Sequence, residues 1–319
     1  MSNGVKMVRC KVCGMNTRHL CDTANEHGEI SVIRNFRCVN CGLVFVGNEI
    51  TNDQLGTAYA TMDSERYYAE VGKTEERKFA TSLTNLRSCG VKETSRLIDI
   101  GTGNGAFLLY LKNKGFQHLS GHDIPGAGTK ELDDNHIPVY KDYDYTAIPD
   151  ASFDVATLLD VMEHVSDPHH VAESVYRILK PGGILYFHTP CVTVTDRLMH
   201  GVQRIPLIGK IGRIWQRGRT SVFHLQNYTC KSVEIILQKA NYGNISIKRV
   251  NELSWPLRRY IRVYLCEKLG LPEFLSYLAI PFFYPFLATS FFNANKAVVV
   301  AKKPVSGETL RTPQGISRI

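Results

Sequence analysis

Two groups of residues in this 319-residue chain have the types and spacing to do chemistry. The first is a pair of thiol pairs. Cys10-x2-Cys13 and Cys38-x2-Cys41 are separated by 24 residues, and each pair is followed by glycine. Two thiolates two residues apart on a tight knuckle can face one ion, and the glycine permits positive φ beneath the sulfurs. Two such knuckles close a tetrahedral site with no open position, which suits structural Zn2+ rather than catalysis. The second group is Asp99 with Gly101, Gly103 and Gly105 in "LIDIGTGNGAF", residues 97–107. Glycines at this spacing after an apolar strand pattern let the backbone turn tightly into a helix beside a nucleotide-like ligand. Read from Gly101 the stretch is G-x-G-x-x-A, the permissive dinucleotide pattern. Read from Asp99 it is D-x-G-x-G-x-G.

The two readings make different electrostatic demands. A pyrophosphate needs free amide N–H groups at a helix N-terminus and repels a nearby carboxylate. S-adenosylmethionine (SAM) has no phosphate; it carries an ammonium, a sulfonium, a carboxylate, a ribose diol and an adenine. Asp99, inside an apolar strand, is costly to bury without partners. It is awkward beside phosphate and useful beside a cation, and it equally suits a loop-organising role that accepts backbone N–H bonds. Asp123 ends the next apolar run, where either cofactor would offer ribose hydroxyls, so it does not discriminate.

These residues need elements to hold them. A helical pattern over 74–89 precedes a strand–helix alternation. Strands are expected at 95–100, 118–124, "IPVY" (137–140), 152–160 and 182–190, with "GNISIKRV" and "KAVVVAKK" closing the series, and helices at 104–114 and through "HHVAESVYRILK". The fold class that follows is α/β, with a doubly wound, mostly parallel seven-stranded sheet whose ligands sit at the strands' C-terminal edge. The expected organisation is a zinc ribbon at 1–50, a helical linker at 51–92, and the main domain at 93–303. That domain would carry an insertion at 191–226 and an apolar segment at 255–293, and a disordered tail would occupy 304–319.

From Cys10 to about residue 250 the chain resembles a class I SAM-dependent methyltransferase with an N-terminal zinc ribbon. The pieces are "LIDIGTGNGAFL", "GHDI", "KDYDYTAIPDASFDVATLLDVMEHVSDP", "LKPGGILYFHTP" and "HLQNYTCKSVEIILQKANY", in the family's order and spacing. The resemblance implies that Asp99, Gly101, Gly103 and Gly105 form the SAM loop and that Asp123 accepts from the ribose. It implies Asp142 and Tyr143 beside the adenine, and Leu159 and Asp160 approaching the cofactor from the fourth strand. One departure is His122, where the family has an apolar residue; Pro125 and Gly126 shorten the helix that follows.

An oxygen or carbon acceptor also needs a base that titrates near neutrality, and histidine is the obvious choice. The catalytic candidates are His164 and His224, and His188 reads as a satisfied strand-end residue. The Glu163-His164 pair in "DVMEH" resembles the ubiquinone-biosynthesis O-methyltransferases, where a similar group has been linked to a divalent cation; helix-capping and base roles stay open beside it.

The net charge of +8 and pI near 9.0 favour an anionic partner: nucleic acid, a membrane surface or a phosphorylated substrate. No signal-peptide core opens the chain, and nine cysteines with a metal spacing fit reduced thiols, so a cytoplasmic location is expected, peripheral at the inner face of a membrane if lipid is touched. Residues 197–219 hold five arginines, one lysine and no acid, interleaved with Ile205, Ile208, Ile211 and Trp215, which reads as a membrane-surface or anionic-ligand element or as a lid. Residues 274–292 carry no charge, but Pro281 and Pro285 interrupt them. An interfacial hairpin, or an apolar helix on the sheet or at a dimer interface, is expected there rather than a span. The functional expectation is methyl transfer from SAM to a small-molecule acceptor, a sugar or lipid-linked glycan. The alternatives are a quinone-precursor O-methyltransferase, a nucleic-acid methyltransferase and a non-catalytic SAM-binding module. A strand ending "LLDVMEH" instead of N/D-P-P-Y/F counts against nucleic acid.

Overall fold

The computed structural model describes residues 8–25, 30–51, 54, 64–124, 130–206, 208–252, 257–262, 266 and 272–305. Strands β1 (Thr17–Ala24) and β2 (Val32–Cys38) pair antiparallel with an irregularity between His19 and Cys21, and β3 (Val44–Val46) pairs with β2. Helix α1 (Ser64–Ser88) leads into β4 (Arg96–Ile100), α2 (Ala106–Asn113), β5 (His118–Asp123), the short α3 (Lys130–Asp134) and β6 (Val139–Lys141). Then come β7 (Phe153–Leu159), α4 (Pro168–Ile178), β8 (Leu179–Pro190), α5 (Val194–Val202), α6 (Gly209–Arg217) and β9 (Gln226–Asn227). The chain finishes with α7 (Cys230–Lys239), β10 (Gly243–Val250), α8 (Leu257–Arg262), α9 (Glu273–Ala288), α10 (Ser290–Asn293) and β11 (Lys296–Lys302).

Two compact units emerge, each assembled from three chain segments: residues 1–74, 190–232 and 249–297, and residues 75–189, 233–248 and 298–319. The second unit carries most of the seven-stranded sheet, in the order β10-β11-β8-β7-β4-β5-β6. Pairings β4–β5, β4–β7, β5–β6 and β7–β8 are all parallel. That order puts β4 inside the sheet, between β7 and β5, and Leu97, Ile98, Asp99 and Ile100 are buried on both of its faces. A strand flanked by parallel neighbours reads as a continuous apolar run for this reason. Leu97, Leu108, Leu111, Leu119, Val155 and Tyr186 pack into one core with Leu83 and Leu86 of α1. Asp167 caps α4 by accepting from the backbone N–H groups of His169 and His170, with Pro168 at the first helical position.

The first unit explains why the ribbon stands up despite its size. Its sheet runs β1-β2-β3-β9, so the last strand comes from the insertion near residue 226. Val222 and Leu225 join Ile33 and Val46 in one buried cluster. Strand pairing thus joins the insertion, whose expected start at 191 lies next to the segment that begins at Pro190, to the ribbon's sheet. Within the insertion, Thr193 and Asp196 form a reciprocal capping box on α5. Asp196, 1% exposed, also accepts from Trp215 Nε1 at 2.6 Å and pairs with Arg219 Nε at 3.1 Å. Burial pushes its carboxyl up, yet the Arg219 guanidinium, the Thr193 N–H and the indole N–H hold it below the ordinary carboxylate range.

Two local expectations change. Pro281 does not interrupt the apolar segment: α9 is one helix from Glu273 to Ala288, not a hairpin, since an internal proline removes one backbone bond and helical packing can carry the chain past it. Strand β8 begins at Leu179 rather than 182, and it accommodates Gly182 at φ 82, whose N–H donates to Lys303 O. The expected shortening at Pro125 and Gly126 and the tail beyond residue 305 lie outside the described residues. Among the described residues, no helix is long and apolar enough to cross a membrane.

If β9 completes the ribbon's core, truncating Leu225, 3% exposed, must cost a buried side chain. Leu225→Ala should destabilise the first unit by about 2–5 kcal/mol in urea unfolding. An unchanged midpoint would mean that the ribbon stands without the insertion.

Candidate cofactor site and metal centre

Four backbone amides of the loop after β4 have partners within the chain. Gly101 N and Thr102 N both donate to His122 O, at 2.8 and 3.1 Å. Gly103 N donates to Asp123 Oδ2 at 2.6 Å, and Gly105 N to Thr102 O at 2.8 Å. All three glycines take positive φ: 68° at Gly101, 56° at Gly103 and 80° at Gly105. A Cβ on Gly101 would sit 2.6 Å from Val161 Cγ2, and one on Gly105 2.4 Å from Leu132 Cγ. Conformation and packing thus both demand glycine at these two positions.

This bonding separates the two cofactor readings. A pyrophosphate would need loop amides to spare, but the four of Gly101, Thr102, Gly103 and Gly105 are already satisfied, one of them by a carboxylate. Asp123 keeps acceptor capacity, because each carboxylate oxygen holds two lone pairs and its Oδ1 takes the Ile124 N–H at 2.8 Å. Asp99 is 3% exposed and accepts from Thr157 Oγ1 at 2.5 Å. Burial pushes its carboxyl up to about 7, the Thr157 bond opposes the rise and the Asp123 charge adds to it. Two carboxylates flanking amide-poor glycines fit a cationic ligand with a ribose diol.

Asp142 turns its carboxylate onto its own loop, accepting from Tyr145 N at 2.6 Å and Ala147 N at 2.8 Å. His122 Nε2 lies 3.1 Å from both Asp142 O and Asp142 Oδ1, and its ring stacks on Tyr145 at 4.5 Å. The histidine at an ordinarily apolar position thus ties β5 to the loop after β6. Tyr143 is 51% exposed. Leu159 ends β7, and Asp160 follows it at φ 58°, a conformation uncommon outside glycine. Asp160 Oδ1 lies 3.1 Å from His188 Nδ1, and Oδ2 lies 3.4 Å from Lys78 Nζ. His164 sits in the turn after β7, its N–H on Val161 O, and the adjacent Glu163 accepts from Thr189 Oγ1 at 2.9 Å. His224 belongs to the first unit, in a turn closed by its N–H on Ser221 Oγ and by Ser221 N on its carbonyl. The link from Lys78 through Asp160 to His188 was not among the sequence expectations, because no local pattern joins residues so far apart.

In the first unit the Sγ atoms of Cys10, Cys13, Cys38 and Cys41 all lie within 4.8 Å of one another. Cys10–Cys41 is 3.6 Å and Cys13–Cys38 is 3.4 Å. Tetrahedral zinc at a Zn–S distance of about 2.3 Å needs neighbouring sulfurs about 3.8 Å apart. Asn40 N and Cys41 N both point at Cys38 Sγ, at 3.4 Å each, and Gly14 and Gly42 take φ 71° and 77° beneath the knuckles. A hydrogen bond from Cys41 lowers the Cys10 thiol to about 5, the same bond drives Cys41 far up, and burial raises Cys38. Four thiols this close cannot all ionise without a cation, and the donor set fits a dication. Cys21, raised to about 12 by burial and by the charge of Asp22, stands apart from the cluster.

A family profile described as a methyltransferase domain matches residues 73–247, more than half of the chain. Among curated relatives, a ubiquinone biosynthesis O-methyltransferase of Idiomarina loihiensis is 30% identical over 102 residues, covering 30% of this chain and 42% of that protein. A 27-O-demethylrifamycin SV methyltransferase of Amycolatopsis mediterranei is 33% identical over 99 residues, covering 28% and 36%. The matched stretch thus spans about two fifths of these relatives' length. Among solved structures, a chain from the complex of the Haloferax volcanii Trm112 methyltransferase activator with a methyltransferase aligns with TM-score 0.50 and 16% identity, over 77% of this chain and 97% of that one. That likeness concerns the fold.

The raised Asp99 value has a testable sign. A folded-state value above the unfolded value of about 3.9 favours the fold at low pH, a contribution lost as pH rises through about 7. Asp99→Asn removes the titrating group, so the variant's stability relative to wild type should rise between about pH 5 and 7 in denaturant titrations. A difference that stays flat with pH would show that Asp99 is ionised throughout.

Proposed function

The chain belongs to the family of methyltransferase domains, and on that premise we propose that it transfers a methyl group from SAM to a small-molecule acceptor. The observation that carries this reading is the glycine loop whose amides are consumed within the chain while Asp99 and Asp123 flank it. SAM, when bound, supplies a methyl group on a positively charged sulfur. Asp123 would accept from the ribose hydroxyls while its Oδ2 keeps the Gly103 N–H. Asp142 and Tyr143 would border the adenine, Asp142 through its loop backbone since its carboxylate is engaged. Leu159 and Asp160 would flank the methyl end, and Asp99 would hold β4 to β7 through Thr157. His164 and His224 are the candidate bases from sequence, and Cys10, Cys13, Cys38 and Cys41 would hold a structural Zn2+.

For the acceptor we infer a sugar or lipid-linked glycan, met at an anionic surface. Support comes from the first unit's helices. Ile205, Ile208 and Ile211 are exposed beside Arg204, Lys210 and Arg213, and Phe274, Leu278 and Phe291 are exposed on α9 and α10, Phe291 by 76%. Exposed apolar residues next to cations are the pattern of an interfacial element. Arg219 is outside this set because it is committed to Asp196. The second reading, a quinone-precursor O-methyltransferase, is favoured by the name of the Idiomarina loihiensis relative.

Titration calorimetry with SAM and separately with NADH tests the premise; SAM should bind and NADH should not. Asp123→Ala should weaken SAM by roughly 10- to 100-fold, the range for a hydrogen bond to a charged group, while zinc stays at one ion per chain. NADH binding alone would reverse the assignment. For the surface, wild type should co-sediment with phosphatidylglycerol vesicles and Ile208→Asp with Arg213→Ser should not. Absence of wild-type sedimentation would remove the lipid-linked acceptor.

A further inference from the structure

Beyond the glycine loop, the second unit holds a second arrangement of polar side chains at the C-terminal edge of its sheet. Leu159 pairs with His188 in the β7–β8 register, and the next residue, Asp160, donates its N–H to His188 O at 3.2 Å. The left-handed backbone at Asp160 turns its carboxylate back onto the same histidine, Oδ1 to Nδ1 at 3.1 Å. His188 is thus held twice by one residue, through main chain and side chain. Lys78 Nζ, 3.4 Å from Oδ2, keeps the carboxylate from swinging away. The three side chains are 5% (His188), 31% (Asp160) and 14% (Lys78) exposed, a partly dry setting in which such contacts are strong.

The chemistry follows from which nitrogen faces the carboxylate. An ionised carboxylate only accepts, so Nδ1 carries the proton of the neutral ring and Nε2 is left with its lone pair. Among the described residues none hydrogen-bonds Nε2, and that atom is not among the fully buried ones lacking a partner. The Tyr186 ring lies edge-on to His188 at 6.4 Å. Position supports the same use. The cofactor loop follows β4 and Asp123 ends β5, whereas β7 and β8 lie on the other side of β4. A donor held by the loop and Asp123 would leave the β7–β8 side of the edge to an acceptor.

We propose that His188, oriented by Asp160, is the general base of this site and that the acceptor group is a hydroxyl, alcohol or phenol. The proposal rests on the methyltransferase reading above and deepens it by naming the reacting atom. In the step, the acceptor oxygen forms a bond to the methyl carbon, and the carbon–sulfur bond breaks with its electron pair kept by sulfur, which becomes a neutral thioether. The hydroxyl proton passes to His188 Nε2, and the resulting imidazolium is paired with the Asp160 carboxylate until the proton leaves to solvent. A neutral amine would attack with its own lone pair and need no such base, so the arrangement selects for oxygen. His188 is the catalytic residue; Asp160 and Lys78 position it.

The test has a readout that needs no acceptor. Two-bond 15N–1H NMR correlations of the full-length, zinc-loaded chain with labelled histidine, assigned by the signals lost in His188→Asn, report the tautomer of His188. The expected result is an Nδ1–H ring with unprotonated Nε2 that loses this preference in Asp160→Asn. An Nε2–H ring in wild type, or no change in Asp160→Asn, overturns the proposal whatever the acceptor. Turnover is then followed with catechol, a nucleotide-activated hexose and, as the amine control, ethanolamine. His188→Asn should lower kcat on a hydroxyl probe by about 10²- to 10⁴-fold, the usual range for a general base, with SAM affinity by calorimetry unchanged. Wild-type turnover of the amine alone, or full hydroxyl turnover in His188→Asn, overturns it. Failure of wild type to bind SAM is a different result, since it removes the methyltransferase reading itself.

Discussion

The carbonyl of His122 accepts from two successive amides, those of Gly101 and Thr102, and the next residue, Asp123, takes the amide of Gly103. This short set of bonds fastens the turn after β4 to the end of its neighbour β5, and the rest of the ligand edge hangs from it. It spends the donors that would otherwise recruit phosphate, and it fixes a carboxylate beside them. It also orients the His122 ring, which reaches Asp142 and stacks on Tyr145, carrying the same order outward to the loop after β6. On the other side of β4, Asp99 and Thr157 bond across to β7. The edge is therefore rigid where a cofactor needs alignment, and alignment is a large part of what a displacement at carbon asks of a protein.

The first unit meets a different constraint, that of too little apolar surface. A ribbon of this size cannot hold itself with a core alone. It answers by borrowing a strand and two side chains from the insertion, by gathering four thiols, and by burying the polar set around Asp196. Thr220 donates to Asn35 across this interior, while His200 Nε2 and Gln216 meet at 2.9 Å. Buried polar sets of this kind penalise every arrangement in which a partner is missing, so they specify one packing even where they add little net stability. The basic character of the insertion is thereby divided: Arg219 serves the fold, while Lys210 and Arg213 remain at the surface.

Much of the fold was legible in the sequence wherever the signal was local. Apolar runs of strand length, the glycine spacing after Ile100 and the cysteine knuckles each declare themselves within a dozen residues, and the parallel sheet follows from their alternation. Legibility ended where partners are distant. Nothing near Gln226 announces that it will pair with Phe45, and nothing near Lys78 points to Asp160. Asp142, expected beside the adenine, also takes the amides of Tyr145 and Ala147, a local role the pattern did not announce and one that suits a short acidic side chain near its own loop's N–H groups. Pro281 was read as a break, yet the helix runs from Glu273 to Ala288 through it, since an internal proline removes only one backbone bond.

The β3–β9 pairing also sets an order of events during synthesis. Val44 and Phe45 must wait for Gln226 and Asn227 before their strand has its second neighbour, and Ile33 and Val46 wait for Val222 and Leu225 before their apolar faces are covered. At ordinary ribosomal elongation rates that interval is on the order of 10–40 s. All four cysteines have left the ribosome long before it ends. For that period the nascent ribbon is a half-finished sheet with an open edge, and thiol chemistry is what can hold it. On that timetable the four thiols are open to a cation, and to oxidation, well before the edge of their sheet is covered.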